Sequence, residues 1–256
     1  DESFCKVDES FCKVDESFCK VDESFILDNS QVYDNIFRTT FRRLKTKSME
    51  VKKFNDNKLA VMRNDAVEAI YDMNLNQLKL FIALVSLIEK GDTKFTEYKI
   101  NAKALVNLFN LSNADNVYLV SDRVTDGLVK RVMIVKDKEK QEYEKYPIFS
   151  GIKYKDGILS ASFNEKIKPF LLDLKENFTK FRLKEIKPFK SKYTLRIYQL
   201  LKEYETIRER TFDINELRTI LNIQPNELKN FSEFRRYVIE VAQKELENTP
   251  MAFEYE

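Results

Sequence analysis

The stretch that decides the fold is residues 146–163, YPIFSGIKYKDGILSASF. Two apolar runs flank Asp156-Gly157, a dipeptide that favours the tight turn of a β-hairpin. Upstream, Asn74 and Gln77 have the spacing of a capping box before an apolar helix that stops at Gly91. FTEYKI (95–100) predicts a strand, and two further helices and the run VMIVKD lead into the hairpin. Helix, strand, helix, helix and hairpin is the order of a winged helix.

The second half of the chain repeats this order. SKYTLRIYQLLKEY (191–204) predicts a helix with Lys192, Arg196 and Lys202 outside its apolar face. Asp213 begins a capped helix, and FSEFRRYVIEVAQKELEN (231–248) predicts the last one. Six residues of this last helix are predicted to face inward: Phe231, Phe234, Val238, Val241, Ala242 and Leu246. MAFEYE (251–256) then resembles the first strand of a second wing.

These patterns predict an α+β fold, mainly α, with two tandem winged-helix domains. We divide the chain into a heptapeptide repeat segment (1–28), a basic linker (29–56), a first winged-helix domain (57–176) and a second one (177–256). Both winged-helix domains are predicted to bind DNA, and we expect the C-terminal wing of the second to be incomplete.

Composition argues against several classes of protein. No run approaches the ~18 apolar residues of a membrane span, and the charged start lacks the features of a secretory signal. We therefore expect a cytoplasmic protein. The sequence has no histidine and only four glycines, which removes the usual general base and the glycine-rich phosphate loops. All three cysteines lie within the first 28 residues. We expect no catalytic activity, no cofactor and no metal.

Charge is unevenly distributed along the chain. The net charge is +2, yet residues 179–210 contain ten Lys/Arg and four Asp/Glu. Such an excess attracts phosphate backbones, although it is also typical of a solvated lysine-rich surface. Arg235 and Arg236 lie near the start of the last helix, where a helix-turn-helix protein contacts the major groove. A dibasic pair can equally solvate an amphipathic helix.

Taken together, these segments resemble the iteron-binding replication initiators of theta-type plasmids, the initiator Rep family. The resemblance runs from about residue 57 to the last residue. Its most specific parts are SKYTLRIYQLLKEY and FSEFRR. It implies monomers that bind double-stranded DNA at directly repeated origin sites, and a homodimer formed through the first domain that represses its own promoter. It also implies recruitment of host initiator and helicase proteins.

The resemblance also implies which residues contact DNA. In the second domain these are Lys190, Ser191, Lys192, Arg196, Lys229, Ser232, Arg235 and Arg236. In the first domain the corresponding residues are Ser121, Arg123, Lys130 and Arg131.

The N-terminus departs from that family. Residues 1–25 repeat DESFCKV three times without substitution and begin a fourth copy. The phenylalanines and valines of these repeats form an a/d seam, which is typical of a short coiled coil. A flexible segment is the alternative. Seven codons span two turns of B-DNA at ~10.5 base pairs each. We therefore hypothesise that this segment is encoded by the plasmid's own iterons, with identity maintained at the DNA level.

Two other functions fit the same sequence. A tandem winged-helix transcriptional regulator would share the fold and the basic surfaces without needing repeated sites. A structural protein that oligomerises through the heptads would make the N-terminal segment its functional part. Direct repeats in the flanking DNA favour the initiator, and loss of self-association on deletion of residues 1–25 favours the structural protein.

Overall fold

A computed structural model of the chain describes residue 55 and residues 57–108, 117–137 and 140–256. The predicted repeat segment and nearly all of the predicted linker lie outside these residues. From Val51 onward the chain forms one compact unit. Among the described helices, none has both the length and the apolar character needed to cross a bilayer.

The unit contains both strands and helices. The strands are β1 (Leu59–Arg63), β2 (Ile70–Tyr71), β3 (Tyr98–Asn101), β4 (Val132–Asp137), β5 (Glu142–Pro147), β6 (Phe149–Lys155), β7 (Ile158–Phe163) and β8 (Phe178–Arg182). The α-helices are α1 (Asn64–Glu68), α2 (Leu75–Val85), α3 (Ala102–Leu108), α4 (Val117–Thr125), α5 (Lys168–Leu171), α6 (Leu183–Ile186), α7 (Lys192–Glu203), α8 (Ile214–Ile220), α9 (Phe231–Phe234) and α10 (Glu240–Leu246). A π-helical turn, Arg235–Ile239, joins α9 to α10.

The first half has the predicted winged-helix arrangement. Helices α2, α3 and α4 precede the β6–β7 hairpin, and β3 joins that hairpin in a sheet of order β3-β7-β6. Asp156 and Gly157 have φ of 51° and 74°, as the predicted two-residue turn requires. The capping box is also confirmed, because Asn74 Oδ1 accepts from the Gln77 N–H at 3.0 Å and Gln77 Oε1 accepts from the Asn74 N–H at 3.2 Å.

Aromatic rings attach the wing to the helices. The ring of Phe163 at the end of β7 lies 5.3 Å from that of Phe149 and 5.4 Å from that of Tyr98. Phe81 of α2 meets Phe163 edge to face at 6.2 Å. Such pairs add about 0.5–1.5 kcal/mol each beyond the area they bury. The wing therefore starts from a rigid base.

A second sheet, of order β2-β4-β5, was only partly expected. VMIVKD forms β4, and it pairs with the following EYEKYP strand rather than leading directly into the wing. The sequence of β5 is polar, with one half-buried residue among exposed ones, and carries no alternating apolar signal. Tertiary pairing alone makes it a strand.

The second half is built on α7, which packs against α10 and, through β8, against the first half. Asp213 caps α8 as predicted, because its Oδ1 accepts from the N–H groups of Asn215 and Glu216 at 2.9 Å. Strand β8 pairs antiparallel with β1, with Phe181 opposite Ala60. This ladder joins segments from both sides of the domain boundary that we placed at residue 176, and that boundary stays a prediction.

The strand predicted for MAFEYE is wrong. Residues 251–256 are not in a strand, although Phe253 accepts a hydrogen bond at its carbonyl from Gln243. A strand exists only where its N–H and C=O groups are paired with a neighbour. In the described part of the chain, no strand pairs with this segment.

A charged cluster stabilises the junction between α1, α7 and the segment that follows α7. Arg210 pairs with Glu68 and, at 3.1 Å, with Glu203. Its guanidinium lies between the rings of Tyr204 and Phe212, 4.3 and 4.4 Å from their centroids. Burial raises the pKa of Glu203 to about 7, and the nearby Glu68 carboxylate raises it too, against the opposing effect of Arg210.

We expect the free energy of unfolding to fall as the pH rises from 5 to 8, in part because of Glu203. The unfolded carboxyl titrates near 4.5 and the folded one near 7, so the folded state binds more protons within that window. In Glu203→Gln this contribution is absent, and urea unfolding at pH 5, 6, 7 and 8 should show a shallower decline than in the wild type. Exposed Glu209→Gln is the control. Parallel pH profiles for wild type and Glu203→Gln would contradict the assignment.

Candidate nucleic-acid interface

The last helix of the chain, formed by α9, the π-helical turn and α10, presents a basic surface to solvent. Phe234, Val238, Ala242 and Leu246 have no exposed surface and attach the helix to the core. Ser232, Arg235 and Arg236 are exposed, as predicted, and Lys229 is exposed just before the helix begins. The inward positions predicted for Phe231 and Val241 are wrong, since Phe231 is 58% exposed and Val241 is half-buried outside the core. The predicted recognition helix therefore carries its cations on the side that a partner can reach.

A π-helical turn interrupts this helix at its basic end. The Glu240 N–H donates to the Arg235 carbonyl, five residues back rather than four. Such turns are rare and are frequent at functional sites. Nothing in the sequence pattern predicted it, because a single widened turn leaves the apolar spacing on either side intact.

Two interactions hold the arginine side chains. Arg235 Nε lies 3.2 Å from Glu240 Oε1 in an ion pair, with the two side chains 50% and 44% exposed. The guanidinium of Arg236 lies 5.4 Å from the ring centroid of Tyr237, which is itself 52% exposed. Sequence reasoning missed both Glu240 and Tyr237, because it searched for cations and not for the groups that orient them.

The second predicted group of contacts lies at the start of α7. Lys190 is exposed, and its backbone N–H donates to the Glu245 carboxylate of α10 at 3.2 and 3.3 Å. Ser191 caps α7, because its Oγ accepts from the N–H groups of Tyr193 and Thr194. Lys192 is half-buried, with Nζ 4.9 Å from the Tyr193 ring centroid.

These two groups do not form one cluster. Glu245, which binds the backbone of Lys190, is ten residues beyond Arg235 along the last helix. At 1.5 Å per residue this separation is about 15 Å. The basic groups therefore lie towards opposite ends of one helix, a spacing that suits contacts to an extended partner.

The outer-face position predicted for Arg196 is wrong. This side chain is 3% exposed and donates from Nη2 to the carbonyls of Val67 and Ala69 at 2.8 and 2.7 Å. Nη1 donates to Gln199, and the guanidinium lies 4.9 Å from the Tyr71 ring centroid. Helical spacing misplaced it because α7 is covered on several faces, with residues 194–200 all buried. Burial lowers the pKa of Arg196 to about 10, so it stays charged at neutral pH.

Of the four residues predicted to contact DNA in the first half, two are exposed and two have side chains engaged within the protein. Arg123 and Lys130 are exposed near the ends of α4 and the following turn. The contact predicted for Ser121 needs correction, because its hydroxyl is buried and donates to the Val117 carbonyl at 2.8 Å, one turn back in α4. Arg131 is half-buried and donates from Nη1 to Asp72 at 2.6 Å. Arg123 and Lys130 are thus the accessible pair.

Comparison with known proteins adds independent findings. Residues 59–202 match the family model "Initiator Replication protein, WH1", and residues 213–256 match "Initiator Rep protein, WH2". The two models indicate two winged-helix domains in this chain, which confirms the predicted fold class. A curated "Replication initiation protein" from Escherichia coli is 27% identical over 206 residues, covering 77% of this chain. The chain spans 62% of that relative's length.

A solved structure shares the fold. The crystal structure of the Pi initiator protein in complex with iteron DNA superposes with a TM-score of 0.59 at 19% sequence identity. The match covers 75% of this chain and 87% of the Pi chain.

We expect Arg196→Ala to lower the free energy of unfolding by about 3 kcal/mol. Two buried carbonyls would lose charge-assisted hydrogen bonds, and unsatisfied buried groups cost about 1–3 kcal/mol each. Urea unfolding of the variant beside exposed Arg235→Ala, which should change stability by less than about 0.5 kcal/mol, measures the difference. Unchanged stability combined with weaker DNA binding would contradict the structural role and restore Arg196 as a contact residue.

Proposed function

The chain belongs to the initiator replication protein family, with its WH1 and WH2 domains, and from this premise we propose that it initiates plasmid replication by binding directly repeated origin sites. The observation that carries the proposal is the exposed Arg235–Arg236 pair at the start of the last helix of the second domain. The helix that contacts bases in a helix-turn-helix protein presents its N-terminal residues to the major groove. The Pi initiator, which shares this fold, was crystallised with iteron DNA.

The remaining basic residues have a supporting role in this proposal. Contacts to phosphate fix the register of the protein on DNA without reading its sequence. In this proposal they come from Lys190, Lys192 and Lys229, and from Arg123 and Lys130 of the first domain. Ser232 on the exposed side of α9 can donate to a phosphate. Ser191 contributes by capping α7, so it positions its lysine neighbours rather than contacting DNA through its side chain.

The protein acts in this proposal by binding and not by catalysis. Its partners are double-stranded origin DNA in the bacterial cytoplasm, a second copy of the chain, and the host initiator and helicase proteins that it recruits. As a dimer it represses its own promoter. A tandem winged-helix transcriptional regulator is less well supported, because both family models and the curated relative are replication initiators.

A free sheet edge supports dimerisation through the first domain. In the described part of the chain, β5 pairs only with β4, and the unpaired edge of a strand can accept a strand from another molecule. Tyr143 on β5 is 66% exposed, with the Lys145 ammonium 5.3 Å from its ring centroid. A cavity of about 420 Å³ opens beside it, with Ile70, Ile134 and Ile223 in its lining.

We expect Tyr143→Lys to raise the dimer dissociation constant about tenfold. The substitution adds a third cation beside Lys136 and Lys145, and in the dimer these cations would face those of the second copy. Like charges directly opposite each other in a sheet are destabilising. Sedimentation equilibrium measures the effect. The matched control is Ile207→Lys in the second domain, since Ile207 is 67% exposed. A wild type that remains monomeric at all concentrations, or a variant that dimerises as tightly as the wild type, would contradict this arrangement.

The DNA-binding proposal is tested by a titration at fixed, near-physiological salt. The full chain is titrated against a duplex carrying the seven-codon units that encode DESFCKV, and against a shuffled duplex. We expect stepwise saturation of the first, one protein per unit, and weak binding to the second. Replacing both Arg235 and Arg236 by Ala should cost about 1–3 kcal/mol for each base contact, or weaken binding to both duplexes if the contacts are to phosphate.

Arg182→Ala is the control for that titration. Its side chain is 50% exposed, as is that of Arg235, and it too lies beside a glutamate, but it belongs to β8. Equal and weak binding of the wild type to both duplexes would reject the hypothesis that the coding repeats are the binding sites. Unchanged binding by the double variant would remove the last helix from the interface.

A further inference from the structure

The pairing of Arg235 with Glu240 exists because of the π-helical turn. In a regular α-helix, residues five apart differ by about 140° around the axis, so their side chains diverge. Here the Glu240 N–H donates to the Arg235 carbonyl, which widens this turn. Arg235 Nε and Glu240 Oε1 then lie 3.2 Å apart. The Tyr255 hydroxyl donates a hydrogen bond to the same oxygen at 3.4 Å.

This ion pair is poorly placed to stabilise the fold. Both side chains are close to half-exposed, and exposed pairs contribute about 0–1 kcal/mol. The carboxylate also stands on the surface proposed to approach DNA, where it repels phosphates. A negative charge in that position weakens non-specific binding, so its benefit has to lie in the geometry that it imposes on its partner.

The contact with Glu240 leaves the terminal nitrogens of the Arg235 guanidinium for binding DNA. The ion pair with Glu240 is made at Nε, which leaves the two terminal nitrogens to donate to a partner. A guanidinium that donates two hydrogen bonds in one plane matches O6 and N7 of guanine in the major groove. Fixing a long side chain before binding reduces the conformational entropy lost in the complex.

We propose that Glu240 is a positioning residue that holds Arg235 for the recognition of a guanine. The inference rests on the proposed function and names the specificity of the same helix. Glu240 lowers affinity for DNA in general and raises the preference for the correct site. Glu240 and Arg235 therefore act as one unit, although only Arg235 touches the base.

The opposite signs of these two effects provide the test. In Glu240→Gln we expect binding to the shuffled duplex to tighten, because a charge that repels phosphate is gone. The ratio of affinities for the repeat and shuffled duplexes should fall about tenfold, because Arg235 is no longer oriented. Binding is measured by titration of the full chain at fixed salt. Glu247→Gln, an exposed acid just beyond the same helix, is the matched control and should leave that ratio unchanged.

A base analogue locates the contact. Each guanine of the repeat unit is replaced in turn by 7-deazaguanine, which lacks the N7 acceptor. For the wild type, one replacement should weaken binding about tenfold. For Arg235→Ala and for Glu240→Gln that same replacement should have little effect. In the Arg235→Ala background, adding Glu240→Gln should not lower the affinity ratio further, because coupled residues are non-additive.

Other outcomes overturn the inference. Tighter binding of Glu240→Gln to both duplexes by the same factor would mean that the carboxylate acts only through its charge. Weaker binding to both, with a lower free energy of unfolding, would mean that it acts only on stability. If the wild type itself does not distinguish the two duplexes, the hypothesis that the coding repeats are the binding sites and this inference fail together. If the wild type does distinguish them and Glu240→Gln keeps the same ratio, this inference alone fails.

Discussion

The buried guanidinium of Arg196 is the interaction on which the arrangement of the two halves depends. It extends from α7 of the second half to two carbonyls at the end of α1 in the first half. A charge removed from water must be satisfied where it lies, so α7 and α1 can take only positions that keep both bonds. The Arg210 pairs with Glu68 and Glu203 tie the same elements a few residues further along. Strand β8, paired with β1, completes a junction made of charge, hydrogen bonds and a short sheet.

This junction determines where the last helix can point. Helix α10 packs on α7, and the backbone of Lys190 just before α7 donates to Glu245 of α10. The orientation of α7 therefore sets the orientation of the basic surface. The last helix has an inner face of residues without solvent exposure, so its cations remain on the outer side without competing for the core. Stability and the proposed DNA binding thus involve different faces of the same few helices, and a different arginine is assigned to each.

Family membership gives this geometry its meaning. Both winged-helix models match the chain, and a solved structure shares the fold. The π-helical turn is a local departure from regular helix, and it begins at the exposed arginines. A straight helix would place Arg235 and Glu240 on different sides and leave the arginine free to sample many rotamers. The widened turn converts two neighbouring charges into one oriented donor, which is how a modest change in backbone geometry can alter specificity without adding a contact.

The sequence by itself determined the parts of this protein that are local. Asn74 with Gln77, Asp213, and the Asp156-Gly157 turn each specify a cap or a turn within a few residues, and the order of elements followed from them. The apolar interior of the last helix also followed from spacing, apart from Phe231 and Val241. Only the tertiary structure decided which charges are buried: Arg196 has the helical position of a solvent-facing residue, and contacts from a distant helix reverse it. The same holds for β5, which becomes a strand by pairing, and for MAFEYE, which lacks a described partner. Burial and strand pairing depend on residues that are far apart in the sequence, and the i to i+5 contact depends on one widened turn. None of these features leaves a periodic signal in the sequence.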